Sequence, residues 1–406
     1  MNWDTISSLI DNNVFKECYC SKEDFLELLT DDKNIIKITN ERLKPHFLDT
    51  CKGEVKNKFK LYSFDSKKFK SLVKNIFESN VHENWEPVEH MGGYYFSLKV
   101  YNDLHITIWV NEQHENFGNK NILISELISD YLEGKDNICV VINDLKNNFL
   151  YLYNNLNDLN ILTPLRLIRS IFMRNFINND FVYFHSAVIQ YKGKGILLTG
   201  KSGSGKTSTL LNFLENKSGK LIANDKAFIG IDSQGRPEIF GWPGVVNLGI
   251  GNLGQYSKLR KFLTNINDVT CTQHGYQPNS KYCKMSQNEL KNLTENKLVI
   301  SHIELAKLFE KEIIPSSNVH AIVNIRLEWN CREKVLKKLE GQEKNDVLYN
   351  NIINNVSDQL QWIGYPLLNN NLNNNNFSKI LDKVNFYTYR SDFQDTNLTD
   401  FLDKIV

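Results

Sequence analysis

The chain has 406 residues, 41% hydrophobic and 23% charged, with 48 Lys and Arg against 47 Asp and Glu for a formal net charge of +1. That length exceeds the size at which a single core stops growing, which predicts two domains, and the balanced charge excludes broad electrostatic binding to nucleic acid or an anionic membrane. No apolar run reaches the roughly 18–20 uncharged residues of a membrane span, the opening MNWDTISSLIDNNVFKE lacks an export signal, and seven cysteines, odd in number and scattered, make no disulfide framework, so a soluble, cytoplasmic protein is expected.

Residues 1–160 read as an accessory α/β domain. Cys18-Tyr19-Cys20 has one intervening residue, too short for a redox Cys-x-x-Cys. Tyr94–Tyr101 and Leu104–Val110 are aromatic and β-branched runs around Asn102-Asp103, a hairpin pattern with a two-residue turn. Ile122–Leu132 has helical apolar spacing, and CVVI (139–142) and FLYLY (149–153) read as short buried strands. None of these segments carries catalytic spacing.

The character changes after residue 160. Thr163-Pro164 suits a helix start, an N-cap followed by proline at the first helical position. In the helix that follows, Arg166, Arg169 and Arg174 predict a solvated, salt-bridged face. The sharper alternative is that one of them reaches a phosphate.

GILLT (195–199) is then a short apolar strand. It runs into Gly200-Lys201-Ser202-Gly203-Ser204-Gly205-Lys206-Thr207, which matches G-x-x-x-x-G-K-[ST] at every fixed position. Helical apolar spacing resumes at Leu210, Leu211 and Leu214, so the motif stands in its required strand–loop–helix setting. The residue types fit the chemistry. Glycines at 200, 203 and 205 let the backbone turn and aim N–H groups at phosphate oxygens, and the helix N-terminus adds partial positive charge. Ser202, Ser204 and Ser208 complete the cradle, Lys206 neutralises the β- and γ-phosphates, and the Thr207 hydroxyl suits Mg²⁺. This predicts a nucleoside-triphosphate site.

Downstream, LIAND (221–225) is the nearby strand ending in an acid, and Asn224-Asp225-Lys226 does not match a GTPase base-reading pattern. Gly241–Gly254 reads as glycine-rich turns beside the site, with a mobile loop over the acceptor as the alternative. Cys271, His274 and Cys283 lack the second tight pair of a structural zinc site and read as a polar loop. Residues 331–361 are charged with helical period and read as a solvated helix pair, which could equally dock a peptide. The asparagine run 369–376 reads as a surface loop.

Three features together resemble the HPr kinase/phosphorylase family, the HPr-kinase-like branch of the phosphoenolpyruvate-carboxykinase-type P-loop fold. A strand with His185-Ser186 precedes the GILLTGKSGSGKT loop; a helix follows; then comes the Gly-Lys-Leu-Ile-Ala-Asn-Asp strand. The match covers residues 181–230 and extends more weakly through Gly241-Trp242-Pro243-Gly244 and VNFYTYRSDF near the C-terminus. Divergent relatives include kinases of ribosomally made peptides that phosphorylate a serine hydroxyl. The resemblance implies an α/β chain with a P-loop domain of that type over 161–406. It also implies ATP and Mg²⁺, with Lys206 on the triphosphate, Thr207 on the metal and His185 beside the reacting phosphate.

The family's paired acids fall on Asn224-Asp225. Asparagine cannot serve as a base, so Asp225 must act as base, metal ligand or both. The family's later Glu followed by Arg-Gly is not found; Glu238 is the nearest acid in that region, in a different context. The expectation is an ATP-dependent kinase acting on a hydroxyl, a serine of a peptide or protein, with Asp225, His185 and Lys206 as catalytic residues. The alternatives are a nucleotide-binding module without transfer, and a kinase of a small-molecule hydroxyl. Residues 1–160 are expected to recognise the substrate or partner.

Overall fold

The computed structural model describes residues 3, 14–51, 54–80, 86–90, 93–100, 104–110, 129–134, 138–144, 146–156, 160–256, 258–259, 285–286, 289, 297–353, 356, 360, 362–363, 380–393 and 395–406. The chain is mixed α/β and divides into two compact units. The first comprises Met1–Asn178 with Asn355–Leu368, and the second Asn179–Asn354 with Asn369–Val406. The seam thus lies after residue 178 rather than 160, and a short C-terminal segment returns to the first unit. No helix among the described residues is long and apolar enough to cross a membrane.

The first unit is built on one eight-stranded sheet. Its strands are β1 (Phe15–Ser21), β2 (Asp24–Thr30), β3 (Asn57–Asp65), β4 (Glu86–His90), β5 (Gly93–Val100), β6 (Leu104–Val110), β7 (Ile138–Asn143) and β8 (Asn148–Tyr153). Their spatial order is β1-β2-β3-β8-β7-β6-β5-β4. β2 buries every second residue, as period-two side chains dictate, whereas all six residues of β7 are buried. β5 and β6 pair antiparallel as their sequences predict; the connecting Asn102-Asp103 lies outside the described residues, as does most of the 122–132 helix pattern.

Helices α1 (Lys33–Leu43), α2 (Lys70–Asn80) and α3 (Thr163–Asn178) accompany the sheet. Asp32 caps α1 by accepting from the Asn34 N–H at 2.7 Å. α3 buries 11 of its 16 residues and leaves Arg166, Arg169 and Arg174 half-buried. The expected solvated face is therefore absent, because this helix is packed around most of its circumference. The returning segment accepts bonds from the Thr107 hydroxyl at Trp362 O (2.6 Å) and from Asn143 Nδ2 at Ile363 O (2.9 Å). The cysteines also depart from expectation: Cys20 and Cys51 form a disulfide, brought together by the bridge pairing Cys20 with Leu48.

The second unit is built on central strands that are buried almost throughout. It contains β9 (Val182–His185), β10 (Ala187–Tyr191), β11 (Lys194–Thr199), α4 (Lys206–Asn216), β12 (Gly219–Ala223), β13 (Lys226–Ile231) and β14 (Pro237–Gly241). Next come β15 (Val245–Gly249), β16 (Lys297–Ser301), α5 (His302–Leu308) and β17 (Ser316–Glu328). β18 (Val335–Lys338), α6 (Gln342–Tyr349), β19 (Asn385–Asp392) and α7 (Leu402–Ile405) complete it. The main sheet has nine strands, in order β12-β10-β11-β17-β14-β13-β9, with β19 beside β17 and β18 beside β19.

β17 is the spine of that sheet. Its first residues pair antiparallel with β14, and the rest lies parallel between β11 and β19. Ile196 and Leu198 of β11 face Leu210, Leu211 and Leu214 of α4, while Leu197 packs on the other side with Val347 and Leu348 of α6. Both faces are covered, as near-continuous apolar parallel strands require.

Two sequence expectations fail in this unit. Within residues 331–361, Val335–Lys338 form an edge strand where a helix is expected, and Gln342–Tyr349 is a helix; most of the remainder of that span from 354 on lies outside the described residues. The Gly241–Gly254 stretch is largely regular rather than a loop, with β15 followed by a 3₁₀ turn at Ile250–Gly254. β15 is fixed there by its antiparallel partner β16. The Cys271, His274 and Cys283 group and the asparagine run lie outside the described residues.

Candidate functional site

The site grows from the junction of β11 and α4. The loop between them is turned by three residues with positive φ: Gly200 (137°), Gly203 (77°) and Gly205 (96°). At Gly200 an added Cβ would stand 2.8 Å from the backbone oxygen of Ile325, and at Gly205 it would press into Leu327. At Gly203 it would meet nothing within 4 Å. Glycine is thus demanded twice over at 200 and 205, by backbone angle and by space, and at 203 by angle alone. β17 braces the loop, since the Leu327 N–H donates to Ser204 O at 2.9 Å.

Gly205 caps α4 through its left-handed backbone, and no side chain caps the first turn. The N–H groups at such a helix start point out with partial positive charge. Ser202 and Gly203 are exposed at the loop's crest, and Thr207 and Ser208 are half-buried in the first turn. The Ser208 hydroxyl donates to Asn252 Oδ1 at 3.3 Å, and Ser208 O accepts from the Tyr256 hydroxyl at 3.2 Å. Ser204 Oγ is buried and has no hydrogen-bond partner among the described residues.

Lys206 folds back across its own loop. Its Nζ donates to Gly200 O at 2.6 Å and to Lys201 O at 3.2 Å. Burial pushes the ammonium below the ordinary lysine range, opposed by the Asp225 charge. Asp225 follows β12 in a bend, and its Oδ1 stands 3.3 Å from His185 Nδ1. Strand pairing makes that meeting obligatory: His185 ends β9 opposite Lys226 of β13, and the Ser186 N–H donates to Asp225 O at 2.9 Å. Burial, and then Lys206, push the His185 imidazole below its ordinary value, while Asp225 pulls the other way. The net effect favours the neutral form of the imidazole, whose Nδ1 faces the Asp225 carboxylate. His185, Lys206 and Asp225, singled out separately in the sequence, are thus one electrostatic group.

Asn224 is 8% exposed, and its Oδ1 has no hydrogen-bond partner among the described residues. Ser186 Oγ beside it is in the same condition. Glu238 is placed elsewhere. It pairs with Gly230, four residues along β13 from the His185–Lys226 register, and so does not join Asp225.

The sequence reading missed Asn351. This residue lies just beyond α6 and is 6% exposed. Its Oδ1 accepts from the Gly200 N–H at 2.9 Å, its Nδ2 donates to Val347 O at 2.7 Å, and its backbone oxygen accepts from the His185 N–H at 2.9 Å. One residue therefore pins both the first glycine of the loop and the histidine strand. No local pattern marks it, because its partners are 151 and 166 positions away in the chain.

No cluster of three or more His, Cys, Asp or Glu that could hold a metal is found among the described residues. Mg²⁺ does not require one: it commonly binds through one or two carboxylates, waters and substrate phosphates. The hard oxygens of Asp225 and Thr207, flanking Lys206, are a donor set of that kind.

No family model matches this chain, and no curated protein matches it. Among solved structures, the Hpr(Ser) kinase/phosphatase from Coxiella burnetii is similar at 10% identity and a TM-score of 0.25, over 55% of this chain and 92% of that one. At that score the likeness carries no argument about fold or activity.

Proposed function

We propose that the chain is an ATP-dependent kinase that transfers the γ-phosphate to a hydroxyl, the serine of a peptide or protein. The observation that carries this reading is the loop itself: a parallel strand, three glycines at positive φ and a helix start without a side-chain cap, with Lys206 aimed back across the loop beside Asp225 and His185. Phosphoryl transfer needs positioning and charge neutralisation more than covalent chemistry from the protein. Backbone N–H groups from Gly200 to Ser208 would hold the phosphates, joined by the hydroxyls of Ser202, Ser204 and Ser208. Lys206 would exchange its two loop carbonyls for phosphate oxygens. Thr207 and Asp225 would hold Mg²⁺, which supplies neutralisation of charge on the β- and γ-oxygens. Asp225 would accept the proton of the attacking hydroxyl as its oxygen bonds to phosphorus and ADP departs, with His185 fixing the carboxylate. The first unit would select the acceptor.

The test is transfer of label from γ-labelled ATP, with Mg²⁺, to serine-containing peptides. Wild type should label an acceptor, and Lys206→Ala and Asp225→Ala should each lose transfer by at least about 10²-fold. A second reading has a specific observation behind it: Asn224, buried and neutral, stands where the family resembled carries an acid. On that reading the chain binds nucleotide to favour a partner-bound state and transfers nothing. Tight ATP binding with no labelling of any acceptor would select it.

A further inference from the structure

Phosphate contacts do not say what lies at the other end of the ligand, and the surface beside the loop offers an answer. β11, β17 and β19 are parallel, so the chain leaves all three at one end of the sheet. The phosphate loop leaves β11 there. Trp329 follows β17 and Phe393 follows β19 at the same end, and their rings stack with centroids 5.2 Å apart and planes 29° apart. Trp329 is 59% exposed, unusual for a side chain with so much apolar surface to hide. It is backed by Phe393 and open to solvent over more than half its area.

The distance from loop to ring is set by pairing. Leu327 is hydrogen-bonded to Ser204 of the loop and packed against Gly205, and Trp329 lies two residues further on. Trp329 lies in the turn that follows Glu328, so its backbone is at most about 7 Å from Leu327, within the length of a nucleoside beyond the phosphates. In open α/β sheets, ligands sit outside the carboxyl ends of the parallel strands. An aromatic face beside a phosphate-turning loop, at that end and that reach, matches the flat base of a nucleotide.

We infer that Trp329, stiffened by Phe393, is the stacking platform for the base of the bound nucleoside triphosphate. This rests on the phosphate-loop reading above and extends it: the loop grips phosphates, and the ring supplies the preference for a nucleoside over bare polyphosphate. Stacking recognises the π-face that every base presents, so the platform favours nucleotides as a class.

The test is calorimetric titration of the full chain, with Mg²⁺, using ATP and inorganic tripolyphosphate as separate probes. Trp329→Ala should weaken ATP about tenfold while leaving tripolyphosphate within about twofold, and Trp329→Phe should retain most of the ATP affinity. Lys206→Ala should weaken both probes. The platform is overturned if Trp329→Ala leaves ATP unchanged, if it weakens both probes alike, or if Trp329→Phe falls as far as Ala. Wild type binding tripolyphosphate as tightly as ATP overturns the platform and spares the loop. Wild type binding neither removes both.

Discussion

Replacing Gly200 by alanine should damage the loop more than the same change at Gly203, although both glycines sit in the same motif. A non-glycine residue forced to strongly positive φ costs about 1–3 kcal/mol, and Gly200 at 137° lies beyond the left-handed well that other residues occasionally visit. The new Cβ would also meet Ser204 Oγ at 2.5 Å and Ile325 O at 2.8 Å. The serine can rotate; the carbonyl belongs to β17 in the middle of the sheet and cannot. The loop must therefore shift, which strains the 2.9 Å bond from Gly200 N–H to Asn351, worth about 0.5–1.5 kcal/mol.

Together these effects open the loop by about 2–4 kcal/mol, or roughly 30- to 1,000-fold in local exchange, since 1.4 kcal/mol is about a factor of ten. Gly203→Ala carries only the backbone cost of about 1–2 kcal/mol, or roughly 5- to 30-fold, because open space surrounds it. Hydrogen exchange read by mass spectrometry on peptides within residues 194–216 measures both, and isolates this segment from the unfolding of the other unit. Equal protection loss in the two variants would refute the steric reasoning.

Two further outcomes are expected. Asn351→Ala removes the acceptor of a buried N–H and should accelerate exchange at Gly200 by the equivalent of about 1–3 kcal/mol, while Asn351→Asp retains an acceptor oxygen and should lose less; equal losses would show that the bond to Gly200 contributes nothing. The His185 imidazole should titrate below about 6.5 by NMR in magnesium-free buffer, lower still in Asp225→Asn and higher in Lys206→Met. Between that lowered value and about 6.5 the unfolded chain binds the extra proton, so this residue's contribution to stability is complete above the window and is lost as pH falls through it. A midpoint at or above about 6.5 would contradict the burial of the ring.

How much of this was legible depended on range along the chain. The strand, loop and helix over 194–216 were readable because the glycines, the lysine and the apolar spacing are local. The edge strand Val335–Lys338 was not, because its four residues are nearly all exposed and carry two lysines, a pattern shared with a solvated helix. The arginines of α3 misled because a strongly buried helix still tolerates half-buried guanidinium stems. The pairing of Cys20 with Cys51, and Asn351 with Gly200 and His185, are tertiary facts with no periodic signature.

The spine strand has a consequence for how the molecule is made. The phosphate loop leaves the ribosome more than a hundred residues before β17, which must brace it at Leu327, and earlier still than Asn351 and β19. At about 5–20 residues per second, roughly 10–40 s separate synthesis of Gly200 from completion of β19 at Asp392. Until β17 is complete at Glu328, about two thirds of the way through that interval, β11 lacks its central neighbour. The first unit waits as well, since Trp362 and Ile363 belong to it. Both units therefore close late and nearly together, so a chain cut short before β19 would carry the whole motif and yet not hold it in shape.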